Sequence, residues 1–106
     1  QIEKKKLIKD AHALQESGAF GIVLECIYSD ISKKITNLIK IPTIGIGASI
    51  HCDGQVLVTD DILGLTNAKI KFVKKYTNIK KIINSAVFKF KQEVKSKKYP
   101  SKKYSY

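Results

Sequence analysis

The chain has no arginine, no tryptophan and no methionine, and only two cysteines and two prolines in its 106 residues. Each shortage excludes something. Without arginine, all twenty basic residues are lysines, so the planar fork that makes bidentate bonds to phosphates and base edges is missing. The formal charge of +11 still gives a sequence-independent attraction to polyanions. Lysine in place of arginine throughout reads as the drift of an AT-rich coding sequence, so a solvated lysine surface is expected rather than a nucleic-acid partner. Two cysteines are too few for a disulfide framework, and Cys26 and Cys52 are expected as free thiols. No apolar run approaches the roughly 20 residues of a membrane-spanning helix. The longest uncharged stretch, residues 41–52, is broken by Pro42, Gly45 and Gly47. No apolar core follows Gln1-Ile2-Glu3-Lys4-Lys5-Lys6, so no signal peptide and a cytoplasmic location are expected. The missing methionine, with Gln1 already inside a helical pattern, points to a fragment of a longer chain.

What is present, 43% hydrophobic and 27% charged residues, suits a folded globular protein. Residues 2–16 place Leu7, Ile8, Ala11 and Leu14 near one face, which predicts an amphipathic helix ended by Ser17-Gly18 with a left-handed Gly18 cap. Ala19-Phe20-Gly21-Ile22-Val23-Leu24 is a short continuous apolar run, the pattern of a strand buried on both faces of a parallel sheet. A second helix follows, capped by Ser29 or Asp30, with Ile31, Ile35, Leu38 and Ile39 at helical spacing. Lys40-Ile41-Pro42 stops it. Thr43-Ile44-Gly45-Ile46 reads as a second buried strand that opens into a loop over residues 47–54. Two readings compete over residues 53–63: a strand at Gln55-Val56-Leu57-Val58, or a short helix capped by Asp53, and the helix is preferred. Further on, Ile79, Ile82, Ile83, Ala86, Val87, Phe90 and Val94 draw one apolar stripe along a long helix, and Lys80, Lys81, Lys89, Lys91 and Lys95 occupy its other faces. Residues 96–106 are expected to be irregular surface. Strands alternating with crossover helices predict an α/β fold. Two strands alone leave both sheet edges open and cannot close a core, a second sign of a part of something larger.

In parallel α/β proteins, functional groups gather at the carboxyl ends of strands. That rule picks out Glu25-Cys26 after the first strand and the loop with Gly47, Ala48, Ser49, His51 and Asp53 after the second. A carboxylate ending an apolar strand is expected to be partly desolvated, which raises its pKa and makes it a better proton acceptor. The alternative for Glu25 is a helix-capping or salt-bridging role. Gly45-Ile46-Gly47 resembles the opening of a dinucleotide fingerprint, but Ile50 stands at the third glycine position and the match fails. The glycines are instead expected to let the loop turn and a ligand or neighbouring backbone come close. His51, Cys52 and Asp53 are adjacent, and adjacent residues rarely point at one ion, so no metal site is assigned. His12 reads as a solvated or packed helix residue. Cys26, beside a carboxylate, is disfavoured as a nucleophile.

Several strings taken in order carry a resemblance. They are Ala19-Phe20-Gly21-Ile22-Val23-Leu24-Glu25-Cys26, Ile41-Pro42-Thr43-Ile44-Gly45-Ile46-Gly47-Ala48, Cys52-Asp53-Gly54-Gln55-Val56-Leu57-Val58 and Asp61-Ile62-Leu63-Gly64-Leu65. The run Lys71-Phe72-Val73-Lys74 and the closing Tyr99-Pro100 and Ser105-Tyr106 continue the series. Through essentially all 106 residues the chain resembles the ketopantoate hydroxymethyltransferases, (βα)8 barrels of pantothenate synthesis. The resemblance implies that residues 1–106 are the C-terminal portion of a single TIM-barrel domain. They would supply its last two strands, their helices and the C-terminal helices, with roughly the first 60% of the barrel absent. It implies transfer of a hydroxymethyl group from 5,10-methylenetetrahydrofolate to 2-oxoisovalerate. The catalytic proton acceptor would be Glu25. A Mg2+ ion would chelate the 2-oxo acid through ligands on earlier strands, so this chain alone would be inactive. A homo-oligomer, a decamer, is implied as well. The chain departs from the family pattern at Ser49, where glycine is usual, at Asp60, where histidine is usual, and at Lys103-Tyr104, where an acidic-His pair is usual. The rival readings are a small lysine-rich module for nucleic acid or another polyanion, and a non-catalytic remnant.

Overall fold

The elements run α1 (Ile2–Glu16), β1 (Ile22–Glu25), α2 (Ser29–Leu38), β2 (Thr43–Ile46), β3 (Gly54–Gln55), α3 (Thr59–Ile62) and α4 (Ile79–Lys95), with a 3₁₀ turn at Lys102–Tyr104. The structure, a computed structural model, describes residues 2–106, and of Ile2 its backbone only. The helical placement expected for Gln1 lies outside the described residues. The chain divides into two compact units, one of residues up to 58 with 70–73, the other of residues 59–69 with 74–106.

In the first unit α1 ends as the sequence predicts. Gly18 takes φ +91°, its N–H donates to Gln15 O (3.0 Å), and the Ala19 N–H reaches back to Leu14 O (3.1 Å). This six-to-one closure satisfies carbonyls that the helix end leaves open, and it needs the left-handed residue that glycine adopts without a Cβ clash. α2 starts differently from expectation. Tyr28 occupies the cap position without a side-chain bond, and its carbonyl accepts from the Ile31 and Ser32 N–H groups. Neither Ser29 nor Asp30 caps the helix. Ser29 Oγ donates to Ser49 Oγ, and Asp30 accepts from Lys4 Nζ at 2.9 Å, which holds its carboxyl below the usual range.

β1, β2 and β3 form a parallel sheet in that order, with Ile22 opposite Thr43, Glu25 opposite Ile46, and Ile44 opposite Gly54. The third strand corrects the two-strand reading. Asp53 caps no helix: its Oδ2 accepts from the Thr43 N–H (2.8 Å) and Oγ1 (3.1 Å). That draws Gly54–Gln55 alongside β2 and delays the helix to Thr59–Ile62. The mixed helix and parallel-strand architecture is the expected α/β class.

Ala11, Ile22, Leu24, Ile31, Ile35, Ile39 and Cys52 form the core, with Leu7, Ile8, Ala19, Ile27, Ile41 and Ala48 packed against it. Burial along β1 alternates: Ile22 and Leu24 are covered, Val23 and Glu25 exposed. The expectation of a strand buried on both faces is therefore wrong for these residues. An apolar run records that both faces are meant to be covered, but α1 and α2 cover one.

In the second unit the same six-to-one closure ends α3, with the Leu65 N–H on Asp60 O at 2.9 Å, and it ends α4, with the Lys98 N–H on Glu93 O at 2.8 Å. Asn78 Oδ1 caps α4 by accepting from the Lys81 N–H at 3.0 Å. Phe90 meets Tyr99 edge-on at 5.5 Å between ring centroids. The predicted stripe is present, yet α4 has no buried residue. Among the described residues no helix is long and apolar enough to cross a membrane.

Candidate functional site at the strand ends

Glu25 is the last residue of β1. One step further, the Cys26 N–H still bonds Ile46 O at 2.9 Å, and then the chain breaks away with Cys26 at φ +53°. A left-handed non-glycine residue costs about 1–2 kcal/mol, so the turn that ends the strand is held by its surroundings. The pleat puts Glu25 on the sheet face opposite Leu24 and the helices, with Val23 on its own strand and Ile44 and Ile46 on the next. Among the strand residues it is the one charged group on that face. It is also exposed. The partial desolvation expected for it is absent, because the covering layer of that face is not built from these residues.

The loop after β2 is tied at both ends. Besides the two bonds from Thr43 to Asp53, the Asp53 N–H donates to Thr43 Oγ1 at 3.3 Å, and Thr43 Oγ1 lies 2.8 Å from Thr36 Oγ1. The Thr43 bonds hold the Asp53 carboxyl below the usual carboxylate range. Ser49 is buried. Its Oγ accepts from Ser29 Oγ (3.1 Å) and from the His51 N–H (3.2 Å), and its carbonyl accepts from Gln55 Nε2 (2.7 Å). The Ser49 hydroxyl thus joins the first residue of α2 to the loop after β2.

Two glycines, Gly45 within β2 and Gly47 in the loop, make room for side chains. A Cβ on Gly45 would lie 3.1 Å from Cys52 Sγ, and one on Gly47 would lie 2.6 Å from Cγ of Phe72. Gly47 also takes φ +62°, so it serves both the turn and the close approach. The neighbour that comes close is the Phe72 ring, where the sequence suggested a ligand or a backbone.

Phe72 closes one wall of an open concavity of about 660 Å³ at the carboxyl ends of β1 and β2, which Cys26, Tyr28, Ser49, Ile50 and Lys71 also line. Glu25 does not line it but directly precedes Cys26, which does. Sequence reasoning missed Tyr28, Lys71 and Phe72 as site residues. The available signal was Gly47, whose missing side chain marks the place where Phe72 seats. His51 is exposed, Cys52 is buried against Gly45, and Asp53 turns to Thr43. Among the described residues no three His, Cys, Asp or Glu side chains gather in an arrangement that could hold a metal ion. His12, Asp60, Lys103 and Tyr104 are exposed.

Comparison with known proteins adds to this geometry. Residues 1–102 match the family model for ketopantoate hydroxymethyltransferase. The chain is 56% identical over 104 residues to the 3-methyl-2-oxobutanoate hydroxymethyltransferase of Pelagibacter ubique, covering 98% of this chain and 40% of that protein. It is 49% identical over 102 residues to the protein of the same name from Sulfurisphaera tokodaii, covering 96% of this chain and 38% of the relative. With that of Pyrobaculum aerophilum it shares 46% over 102 residues, covering 96% and 39%. The chain therefore spans about 40% of the length of the curated relatives it matches.

Proposed function

Because the chain belongs to the ketopantoate hydroxymethyltransferase family, we propose that it is the C-terminal portion of a (βα)8 barrel that moves a hydroxymethyl group from 5,10-methylenetetrahydrofolate to 2-oxoisovalerate, giving ketopantoate for pantothenate synthesis. The observation that carries the proposal is the position of Glu25, a carboxylate at the carboxyl end of a parallel strand, on the face its own helices leave open. In a closed barrel that face is the inner wall, and earlier strands would cover Val23 and Glu25. They would supply the desolvation that these residues do not.

Transfer to the third carbon of the 2-oxo acid requires that carbon to give up its proton and its C–H bonding pair to become nucleophilic. A Glu25 carboxylate oxygen takes the proton, and the pair delocalises onto the keto oxygen as an enolate. The enolate carbon then bonds the one-carbon unit as the unit's C–N bonds to the folate break; water supplies the hydroxyl, the freed nitrogens take up protons, and tetrahydrofolate leaves. A carboxylate fixed by the strand ladder on one side and by the Cys26 turn on the other meets the need for a positioned general base. The described residues do not fit a Mg2+ ion, and any such ion would take its ligands from other parts of the whole protein. A cytoplasmic, homo-oligomeric whole protein, decameric by the family resemblance, belongs to the same proposal. The exposed apolar stripe of α4 is in keeping with burial in a larger assembly.

The test is exchange of the third-carbon hydrogen of 2-oxoisovalerate with deuterated solvent, followed by proton NMR. The intact enzyme should exchange it and Glu25→Gln should not. Exchange at the wild-type rate in a folded Glu25→Gln enzyme would remove Glu25 from the role of base.

A further inference from the structure

Charge is shared unevenly between the two units. Residues 59–69 with 74–106 hold twelve of the twenty lysines but only three of the nine carboxylates, Asp60, Asp61 and Glu93. Within this second unit an open concavity of about 550 Å³ lies between the first turns of α4 and residues 64–67. Lys75, Lys80 and Lys81 line it, and no carboxylate does. Asp61 accepts from Thr66 Oγ1 at 2.6 Å but does not line the space. Two of the ammonium groups are placed by neighbours: Lys75 Nζ donates to Thr66 O at 3.1 Å and Lys80 Nζ to Asn67 Oδ1 at 2.8 Å. An ammonium has three donors, so each keeps two. Among the described residues Lys81 Nζ makes no hydrogen bond or ion pair. The end of the helix adds little, because Asn78 Oδ1 already accepts the Lys81 N–H. The positive character of the space is that of its side chains.

The part of α4 that lines the concavity is Lys81, Asn84, Ser85 and Phe88, at the three- and four-residue spacing of one helix face. That face lies opposite Ile79, Ile83, Ala86 and Phe90, so burial of the apolar stripe in a larger assembly would leave the concavity open. Phe88 is the one apolar residue on this polar face, and its ring is 61% exposed. Nothing in the packing of α4 asks for an aromatic side chain there. A flat group seated against it would.

We propose that this concavity binds a nucleoside polyphosphate, with the phosphates on Lys75, Lys80 and Lys81 and the base against Phe88. Cations without a carboxylate to neutralise them call for an anion of high charge, and an aromatic wall beside them adds a stacking surface for a base. Neither reactant of the reaction proposed above carries a phosphate, so the site goes beyond that reaction and does not depend on it.

The intact protein tests this by titration calorimetry in low-salt, magnesium-free buffer, with ADP, inorganic pyrophosphate and oligo(dT) as probes. Wild type should bind ADP more tightly than pyrophosphate. Lys75→Gln and Lys81→Gln should each weaken both by about tenfold, the scale of one lost charge-assisted hydrogen bond. Lys95→Gln, on α4 but outside the concavity, should leave both unchanged. Phe88→Ala should weaken ADP at least about fivefold and leave pyrophosphate as it was. All four positions are exposed, so the substitutions leave the core intact. Absence of ADP binding overturns the proposal, as does ADP affinity unmoved by Phe88→Ala. Equal losses in Lys95→Gln and Lys81→Gln overturn it too, since they mark diffuse attraction to a basic surface. Tighter binding of oligo(dT), weakened by the same variants, would replace the small ligand with a nucleic acid. No readout here measures activity or involves Glu25, so failure of the reaction assignment and failure of this site are told apart.

Discussion

α2 and α4 are both amphipathic helices that were readable from spacing alone, yet they end up in opposite circumstances. α2 buries Ile31, Ser32 and Ile35 against the sheet, while α4, seven residues longer, buries nothing. Periodicity reports that a helix has a face to cover, and it is silent on whether the covering residues belong to the same chain. In the first unit the partner of the apolar face is present. In the second it is not among the described residues.

The sharpest way to break that comparison is a matched pair of truncations. Ile35, 1% exposed, should lose about 3 kcal/mol of stability to urea on Ile35→Ala, because the transfer and cavity terms both apply. Val87→Ala, at a position 60% exposed, should change it by less than about 0.5 kcal/mol. Equal losses would show that α4 is covered in solution by something these residues do not include.

Next in size is the loop anchor. Thr43 is fully buried, and its hydroxyl meets Thr36 and Asp53. Thr43→Val keeps the shape and leaves those partners unmatched, for an expected loss of about 2 kcal/mol in the same unfolding experiment. A neutral result would mean that water replaces the hydroxyl.

A third pair compares the helix ends. The same closure uses Gly18 in the first unit and Lys97, at φ +55°, in the second. Gly18→Ala should lose about 1 kcal/mol, and Lys97→Gly should gain about as much, since a Cβ in the left-handed region is what costs. No gain at position 97 would mean that α4 frays there and the turn is not held.

The smallest effects belong to titration. Asp53 and Asp30 both have folded pKa values below the ordinary 3.8, the first through Thr43 and the second through Lys4. A folded carboxyl that binds its proton less tightly than the unfolded one contributes stability above that ordinary value. The contribution drains away as pH falls through the lowered folded value. Acid unfolding curves should therefore flatten below about pH 4 in Asp53→Asn and in Asp30→Asn. Salt should erase the exposed Lys4–Asp30 part first, and equal salt sensitivity of the two would contradict the assignment of their causes.

Much of this arrangement was legible in the residues. Gly18, a first strand read at residues 19–24 and found at Ile22–Glu25, the strand at Thr43–Ile46, and the stripe from Ile79 each follow from local pattern. Glu25 was legible as the end of a strand, but its solvation was not. Burial is a property of the layer lying over the sheet, and the described residues lay none over Val23 and Glu25. Asp53 was misread because its side chain reaches ten residues back to Thr43, and no short window of sequence contains that partner. The concavity was hidden for a related reason: Lys71 and Phe72 return from a distant stretch to the strand ends, and only the bare α-carbon of Gly47 announces them.

The two cysteines end up in unlike places. Cys52 is packed in the core, and Cys26 stands exposed at the strand end beside Glu25. In these residues an alkylating reagent therefore meets one accessible thiol and one shielded thiol, and the accessible one lies on the rim of the concavity. A fluorophore or a fluorine tag attached there, with no engineered cysteine in this part of the chain, would sit beside Glu25 and report through its own signal when a ligand enters.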